Sequence, residues 1–338
     1  MPSAKRADTA VGRRASASAV RPVVLHSAPI VLPICADPLR DGAVAVKGDR
    51  VLKVASRAEL RSSHPGAEEL RWPGMIVAGM VDACAASPRV PGVTARASVV
   101  CDPADPTTFP GISYVEVSSA SEEEWEDSER DAVITAIREV DRPCAVGIAA
   151  HPRDAQVLEE VAVLARTFGL RLLADLARHS PAALDEAGVL GSLCHVACAR
   201  PLDPGERKLL RLRKTVVALC PPGPAGDALA LLDEGNIVAF GTRGGTSDGP
   251  LGLAAGVRRH ARELGLRPRG LDRRLVEAAT LGGAMALGMH RGKGRIGSLA
   301  PGARADFAVF DARGRYPYAA LLAQPPCLGT IVGGVVTP

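Results

Sequence analysis

The sequence predicts an α/β protein: a (β/α) barrel with a small β-domain to which both ends of the chain contribute. From about residue 95 onward, short apolar runs alternate with amphipathic segments of about a dozen residues, which is typical of parallel strands with crossover helices. About five or six such units within roughly 200 residues favour a barrel over an open sheet. The segments before and after this region share a strand-rich pattern, so we expect both termini to build one sheet domain.

The chain of 338 residues is 47% hydrophobic but only 3% aromatic, so its core must consist mainly of Ala, Val and Leu. The net charge of +4 is small and most of the basic excess lies in residues 1–21, so no nucleic-acid partner is expected. That segment is rich in Ala, Ser and Arg, which predicts a disordered basic tail rather than a signal peptide. No run reaches the roughly 18 apolar residues of a membrane span. The eight cysteines form no CxxC pair and indicate reduced thiols in a cytoplasmic protein.

The first part of the chain predicts short strands joined by turns. Apolar runs lie at 23–25 and 30–32, and residues 42–46 and 50–54 form the arms of a hairpin around the turn at 47–49.

The last part of the chain returns to this strand-rich pattern, with strands predicted at 306–310 and 330–332. We therefore assign residues 22–75 together with 296–338 to the composite β-domain, and residues 76–295 to the barrel.

The barrel region has apolar runs bounded by turn residues, which predict strands at 114–117, 145–149, 170–174, 193–198, 215–219 and 237–241. The amphipathic segments between them predict helices at 122–139, 154–168, 181–188, 204–213 and 228–234. Gly169 marks the end of the most regular of these helices. Residues 84–113 hold five scattered prolines, which predicts a missing barrel unit or a truncated lid there.

Five segments carry a more specific signal, at 41–51, 73–83, 147–151, 278–288 (AATLGGAMALG) and 296–306 (IGSLAPGARAD). Together they resemble the amidohydrolase superfamily, in the aminohydrolase branch that deaminates purines, pterins and triazines. The resemblance covers roughly residues 23–336. It implies a distorted (β/α)8 TIM-type barrel with a composite β-domain.

The resemblance also implies a metal centre in the active members of this branch. A His-x-His motif follows the first strand, further His residues follow strands five and six, and an Asp follows strand eight. Neutral imidazoles hold a divalent ion, the ion lowers the pKa of a bound water, and the Asp accepts the proton of that water.

This sequence has different residues at the positions that match those ligands: Cys84 and Ala86 in the first motif, Asp175 and Arg178 after strand five, Cys198 and Pro201 after strand six, and Arg243 after strand eight. A register slip of three residues would place His195 at the strand-six position. The resemblance with these replacements predicts a protein without the usual metal ligands and without confident catalytic residues.

Two hypotheses compete for the replaced positions. In the first, Cys84, Asp175 and Cys198 gather into an unusual thiolate-rich metal site, with zinc as the natural ion. In the second, Arg243 and Asp175 form an ion pair across the barrel mouth, with a nitrogen–oxygen distance under about 3.2 Å. A fixed guanidinium beside the ion opposes the first hypothesis by several kcal/mol, so we favour the second.

The predicted pocket residues are His151, Asp175, Arg243 and His195. A nucleophilic pair of Cys198 with His195 or His151 is a minor alternative. The other histidines are expected at the surface: His26, His64, His179, His260 and His290.

The leading function hypothesis is a catalytically inactive amidohydrolase-like protein that needs no cofactor and serves as a binding or assembly partner. By analogy it would form a homodimer or a heteromer with an active paralogue. The main alternative is a hydrolase acting on C–N bonds of a small cyclic or nucleoside-like substrate, with an atypical zinc site. A third hypothesis is a sensor that retains a small-molecule ligand.

Overall fold

The computed structural model describes residues 22–85, 90–100, 110–139, 145–222, 225–243 and 248–337. The predicted tail at 1–21 and the motif position Ala86 lie outside the described residues. The strands are β1 (Val23–Leu32), β2 (Leu39–Lys47), β3 (Arg50–Ser56), β4 (Glu68–Arg71), β5 (Met75–Ala78), β6 (Met80–Ala85), β7 (Val93–Val100), β8 (Gly111–Val117), β9 (Ala145–Ala150), β10 (Arg171–Asp175), β11 (Cys194–Cys198), β12 (Val216–Leu219), β13 (Val238–Phe240), β14 (Phe307–Phe310), β15 (Cys327–Val332) and β16 (Val335–Thr337). The helices are α1 (Arg57–Ser63), α2 (Glu122–Glu124), α3 (Arg130–Glu139), α4 (Ala155–Phe168), α5 (Pro181–Glu186), α6 (Pro204–Arg213), α7 (Ala225–Asp233), α8 (Gly249–Glu263), α9 (Leu271–Glu277), α10 (Gly283–Ala286) and α11 (Pro317–Leu321), with π-helical turns at Trp125–Glu129 and Ala278–Gly282.

Both ends of the chain meet in one sheet. Its order is β16-β15-β14-β5-β1-β2-β3, with β4 beside the first half of β1. The two apolar runs predicted separately at 23–25 and 30–32 join into the single strand β1. Pro29 lies where the parallel partner of β1 changes from β4 to β5, so its missing N–H costs no ladder hydrogen bond. The predicted composite β-domain is confirmed.

The middle of the chain forms a barrel of eight parallel strands, ordered β6 to β13 along the chain. Side chains alternate across its wall, so Leu173, Ala197 and Ala218 fill the interior. Their neighbours Leu172 and Val196 face the helices instead. The barrel closes where the backbone N–H of Arg243 donates to the carbonyl of Cys84 at 2.7 Å. The predicted TIM-type barrel is confirmed.

Strand β7 lies inside the proline-rich region that the sequence left without a strand. It pairs in parallel with β6 and β8, and small inward side chains such as Ala95 and Ala97 fit the crowded barrel interior. The expectation of a missing barrel unit is wrong. A short run bounded by prolines carries a weak signal, and its pairing depends on neighbours far away in the chain.

Local signals fix the helices that orient the barrel strands. Asp154 caps α4 by accepting from the backbone N–H groups of Gln156 (2.8 Å) and Val157 (3.2 Å). Gly169 ends this helix in the left-handed conformation (φ 64°), and β10 begins two residues later. None of the helices in the described residues has the length and hydropathy of a membrane-spanning helix.

Candidate functional site at the barrel mouth

The candidate site is the end of the barrel where the carboxyl ends of its parallel strands meet. We use "barrel mouth" for the side chains of Cys84, Glu116, His151, Asp175, Arg178, His179, Cys220 and Arg243, which interact with one another there. The same alternation that fills the interior points Asp175 inward, because it is two residues beyond the interior Leu173.

Arg243 and Asp175 form an ion pair. Arg243 Nη2 contacts Asp175 Oδ2, and Nη1 lies 3.4 Å from Oδ1. The Asp175 side chain is 7% exposed and that of Arg243 is 37% exposed, so the carboxylate is the buried partner. Asp175 also accepts from the backbone N–H of Ala177 at 2.9 Å. The contact expected from the sequence is present.

Glu116 and His151 form a second polar pair beside the first. Glu116 Oε1 lies 2.8 Å from His151 Nδ1 and 3.9 Å from Arg178 Nη2. The backbone N–H of His151 donates to Val117 at 3.0 Å, which fixes the histidine at the end of its strand. His151 was predicted from the sequence as a pocket residue, but Glu116 was not. Alternation of side chains along β8 could have identified Glu116, since it is two residues beyond Tyr114, which points into the barrel.

His179 is buried, at 9% exposure, so the expectation that it lies at the surface is wrong. Its backbone N–H donates to the carbonyl of Asp175 at 3.1 Å, and this turn folds the imidazole back beside Asp175 and His151. Burial is the largest cause that lowers the pKa of His179, followed by the charges of His151 and Arg178. Among the described residues, its Nε2 atom has no hydrogen-bond partner.

His26 is also buried, at 2% exposure, within the terminal sheet rather than at the surface.

His195 lies in the barrel interior and not among the mouth residues. Its Nε2 atom is 2.9 Å from the carbonyl oxygen of Ala83, and its Nδ1 atom is 3.5 Å from the Tyr114 hydroxyl. Burial lowers the pKa of His195 to about 3, so the imidazole is neutral at pH 7. A register slip therefore does not supply a histidine to the mouth, since both ring nitrogens already have partners.

Cys198 points away from the mouth. Along β11 the inward positions are His195 and Ala197, so the Cys198 thiol packs in the outer core and lies 3.2 Å from the carbonyl of Arg200. Burial raises the pKa of Cys198 to about 11. The structure therefore does not assemble Cys84, Asp175 and Cys198 into a thiolate-rich site, nor Cys198 and His151 into a nucleophilic pair.

Cys220, rather than Cys198, lies close to Cys84 at the mouth. A Cβ placed on Gly241 would lie 2.7 Å from Cys84 Cβ and 3.1 Å from Cys220 Sγ, so the two cysteines flank this glycine. The contact with the Cys84 thiol and burial both raise the pKa of Cys220. Only a residue without a side chain fits between them.

Among the described mouth residues, no three side chains that could ligate a metal have their ligand atoms within 4.8 Å of one another. A catalytic zinc needs about three protein ligands converging on one point. Over the described ranges, the one group of His, Cys, Asp or Glu side chains with three ligand atoms mutually within 4.8 Å is Glu122, Glu126 and Glu160, outside the barrel. At the mouth, the carboxylate of Asp175 is engaged by Arg243 and that of Glu116 by His151.

Comparisons with known proteins identify the fold. The sequence pattern of the amidohydrolase family matches residues 225–337, and that of the bacterial imidazolonepropionase-like composite domain matches residues 42–67. The resemblance to the amidohydrolase superfamily is confirmed. A search of curated protein sequences finds no match.

Solved structures match this amidohydrolase fold along nearly its whole length. An adenosine deaminase from Xanthomonas campestris with bound zinc is 18% identical with a TM-score of 0.74, covering 93% of this chain and 92% of that one. Guanine deaminase from E. coli is 17% identical with a TM-score of 0.73, covering 94% and 99%. Atrazine chlorohydrolase from Arthrobacter aurescens, complexed with zinc, is 16% identical with a TM-score of 0.69, covering 93% and 94%. At these identities the likeness establishes the fold.

Proposed function

We propose that this amidohydrolase-fold protein is a binding or assembly protein that does not hydrolyse C–N bonds through a metal-bound water. The observation that carries the proposal is the contact between Arg243 and Asp175 at the barrel mouth. An arginine side chain carries a positive charge, so Arg243 places a cation at the barrel mouth.

The electrostatics of this pair oppose a divalent ion at the same place. Two unit charges of like sign about 4 Å apart repel by about 4 kcal/mol at an effective dielectric constant of about 20, and a divalent ion doubles this. The carboxylate oxygens of Asp175 already accept from Arg243 and from the backbone N–H of Ala177. Zinc binding would therefore have to break the ion pair first.

The groups left with free donors favour a small organic ligand for the mouth. The side chain of Arg178 is 46% exposed and that of Arg243 is 37% exposed, so both guanidiniums face solvent in part. The Nε2 atom of the buried His179, which has no hydrogen-bond partner among the described residues, adds a further polar atom beside them. A ligand that carries acceptor groups would complement this set.

Metal analysis of the full-length protein tests the proposal. We expect well under one zinc per chain after growth in zinc-supplemented medium and dialysis, measured by plasma mass spectrometry. The Arg243→Ala variant should bind more zinc than the wild type, because it removes the repelling cation. Arg213→Ala is the matched control, since Arg213 pairs with Asp185 in the same way outside the mouth (2.5 and 2.8 Å). One zinc per chain in the dialysed wild type overturns the proposal.

A ligand screen separates binding from assembly. In a thermal-shift screen with small cyclic compounds, a compound that binds the mouth should raise the melting temperature of the wild type. The increase should be smaller in the Arg243→Ala variant. Assembly as a homodimer, or as a heteromer with an active paralogue, is tested by light scattering of the purified chain and of mixtures.

A C–N hydrolase with an atypical zinc site is the second candidate. It is supported by the zinc in two of the structural neighbours and by the two adjacent thiols of Cys84 and Cys220 at the mouth. Release of ammonia from a purine nucleoside or an aminotriazine, abolished by a chelator and by Cys84→Ala, would establish this function instead.

A further inference from the structure

A groove on the helical layer, outside the barrel mouth, has the size of a small-molecule site. It lies where α8 ends and α9 begins, and its volume is about 680 Å³. Typical ligand sites span about 300–1,000 Å³. The side chains that line it and matter here are Arg258, Arg262, Leu266, Arg267, Leu271 and Asp272. None of them belongs to the barrel mouth.

Arg258, one of the arginines that line this groove, is held in place by hydrogen bonds. Arg258 donates to both oxygens of Asp272, at 2.8 and 3.1 Å, and to the carbonyl of Ala319 at 3.4 Å. Its side chain is only 12% exposed. The single carboxylate lining the groove is therefore neutralised, and it leaves no negative charge to satisfy the remaining arginines.

Arg262 and Arg267 carry the uncompensated charge. Both are exposed, and in the described portion of the chain neither forms an ion pair. The sequence from 258 to 274 contains seven arginines; Arg258, Arg273 and Arg274 form ion pairs, and the other four form none among the described residues, so the surroundings are basic as well. The groove therefore presents two unpaired guanidiniums in a positive field.

Helix stabilisation accounts for only part of this charge. Arg262 lies in the last turn of α8, where a cation interacts favourably with the helix dipole. Arg267 lies beyond the helix, in the connection to α9, and that explanation does not apply to it. The same groove is lined by two apolar side chains, the exposed Leu266 (46%) and the buried Leu271 (8%).

We infer that this groove binds a small organic phosphate. The planar forks of Arg262 and Arg267 match phosphate oxygens and form charge-assisted hydrogen bonds with them. Leu266 and Leu271 provide an apolar wall for the organic part of the ligand. The site is independent of the proposed function of the barrel mouth, because it shares no residue with it.

Calorimetric titration of the full-length protein tests this site with adenosine monophosphate and glucose 6-phosphate as probes. We expect at least one of them to bind, and the Arg262→Gln/Arg267→Gln double variant to lose at least about tenfold in affinity. Arg71→Gln, an exposed arginine on the terminal sheet, is the matched control and should bind as the wild type does. Circular dichroism of each variant checks that the fold is retained.

Two further ligands separate the contribution of the phosphate group from that of the organic part. Inorganic phosphate should bind more weakly than the organic phosphate, and adenosine should not bind measurably. Failure of both phosphates to bind the wild type at millimolar concentration overturns the inference. So does equal binding of adenosine and its phosphate, or an unchanged affinity in the double variant. The zinc content of the barrel mouth has no bearing on any of these outcomes.

Discussion

The carboxylate of Asp82, on the first barrel strand, accepts two hydrogen bonds from Thr242, just after the last barrel strand. The backbone N–H donates at 3.0 Å and the hydroxyl at 2.6 Å. Asp82 is 3% exposed, and burial raises its pKa although these bonds and the N–H of Cys84 oppose the rise. A buried carboxylate thus joins the two ends of the barrel sheet, directly below the residues of the mouth.

Replacing Thr242 by Val should destabilise the protein by about 1–3 kcal/mol, since the hydroxyl bond to a buried carboxylate is lost without a substitute. Thr242→Ser retains the hydroxyl and should cost less than about 1 kcal/mol. Chemical denaturation of both variants measures the difference. Equal losses in Val and Ser would show that this hydroxyl does not stabilise the barrel closure.

Much of the fold was predictable because its signals are local. Amphipathic periods, caps such as Asp154 and Gly169, and the hairpin of β2 and β3 are each encoded within a few neighbouring residues. Strand β7 was not predictable in this way. Its evidence as a strand is its pairing with β6 and β8, which the local sequence does not contain.

Contacts between site residues could be predicted only where the family resemblance implied that their positions lie close together. Arg243 and Asp175 were expected together because their matching positions face the same ion in active relatives. The direction of Cys198 was not, since a shift of one position along a strand turns a side chain from the interior to the outer layer. His179 was missed for a related reason, because the turn after β10 buries a residue whose neighbours are polar.

The placement of Cys198 in the outer core predicts its reactivity. Cys194 and Cys198 are fully buried, and burial raises their pKa values to about 12 and about 11. Cys35 is exposed. Under native conditions near pH 8, iodoacetamide should alkylate Cys35 at least about a hundredfold faster than Cys198, because the thiolate is the reacting form. Peptide mass spectrometry follows each site, and unfolding in guanidinium should equalise them. Rapid native labelling of Cys198 would mean that it faces the mouth after all.

His26 should make the protein less stable in mild acid. Its Nδ1 accepts from the indole N–H of Trp72 at 3.2 Å, and burial lowers its pKa to about 4 from an ordinary 6.5. Between these values the unfolded chain binds more protons than the folded one, so stability falls as pH drops from 6.5 to 4, by up to about 3 kcal/mol. His26→Gln retains an acceptor but does not titrate. Its unfolding free energy should vary less with pH than that of the wild type, and parallel profiles would remove His26 as a cause.

Asp306 should act in the opposite direction. Burial raises its pKa from 3.8 to about 6, although Arg304 and the backbone N–H of Gly333 (2.7 Å) oppose the shift. Between these values the folded state holds the extra proton, so the stabilising contribution is complete below about pH 3.8 and is lost as pH rises through 6. Asp306→Asn remains neutral and can still accept from Gly333. Relative to the wild type, this variant should gain up to about 3 kcal/mol of stability between pH 4 and pH 7. Asp311→Asn, an exposed carboxylate 3.4 Å from Arg313, is the matched control and should show a nearly constant difference across that range. A constant difference in Asp306→Asn as well would mean that this carboxyl titrates at its ordinary pKa, and that Arg304 compensates fully for its burial.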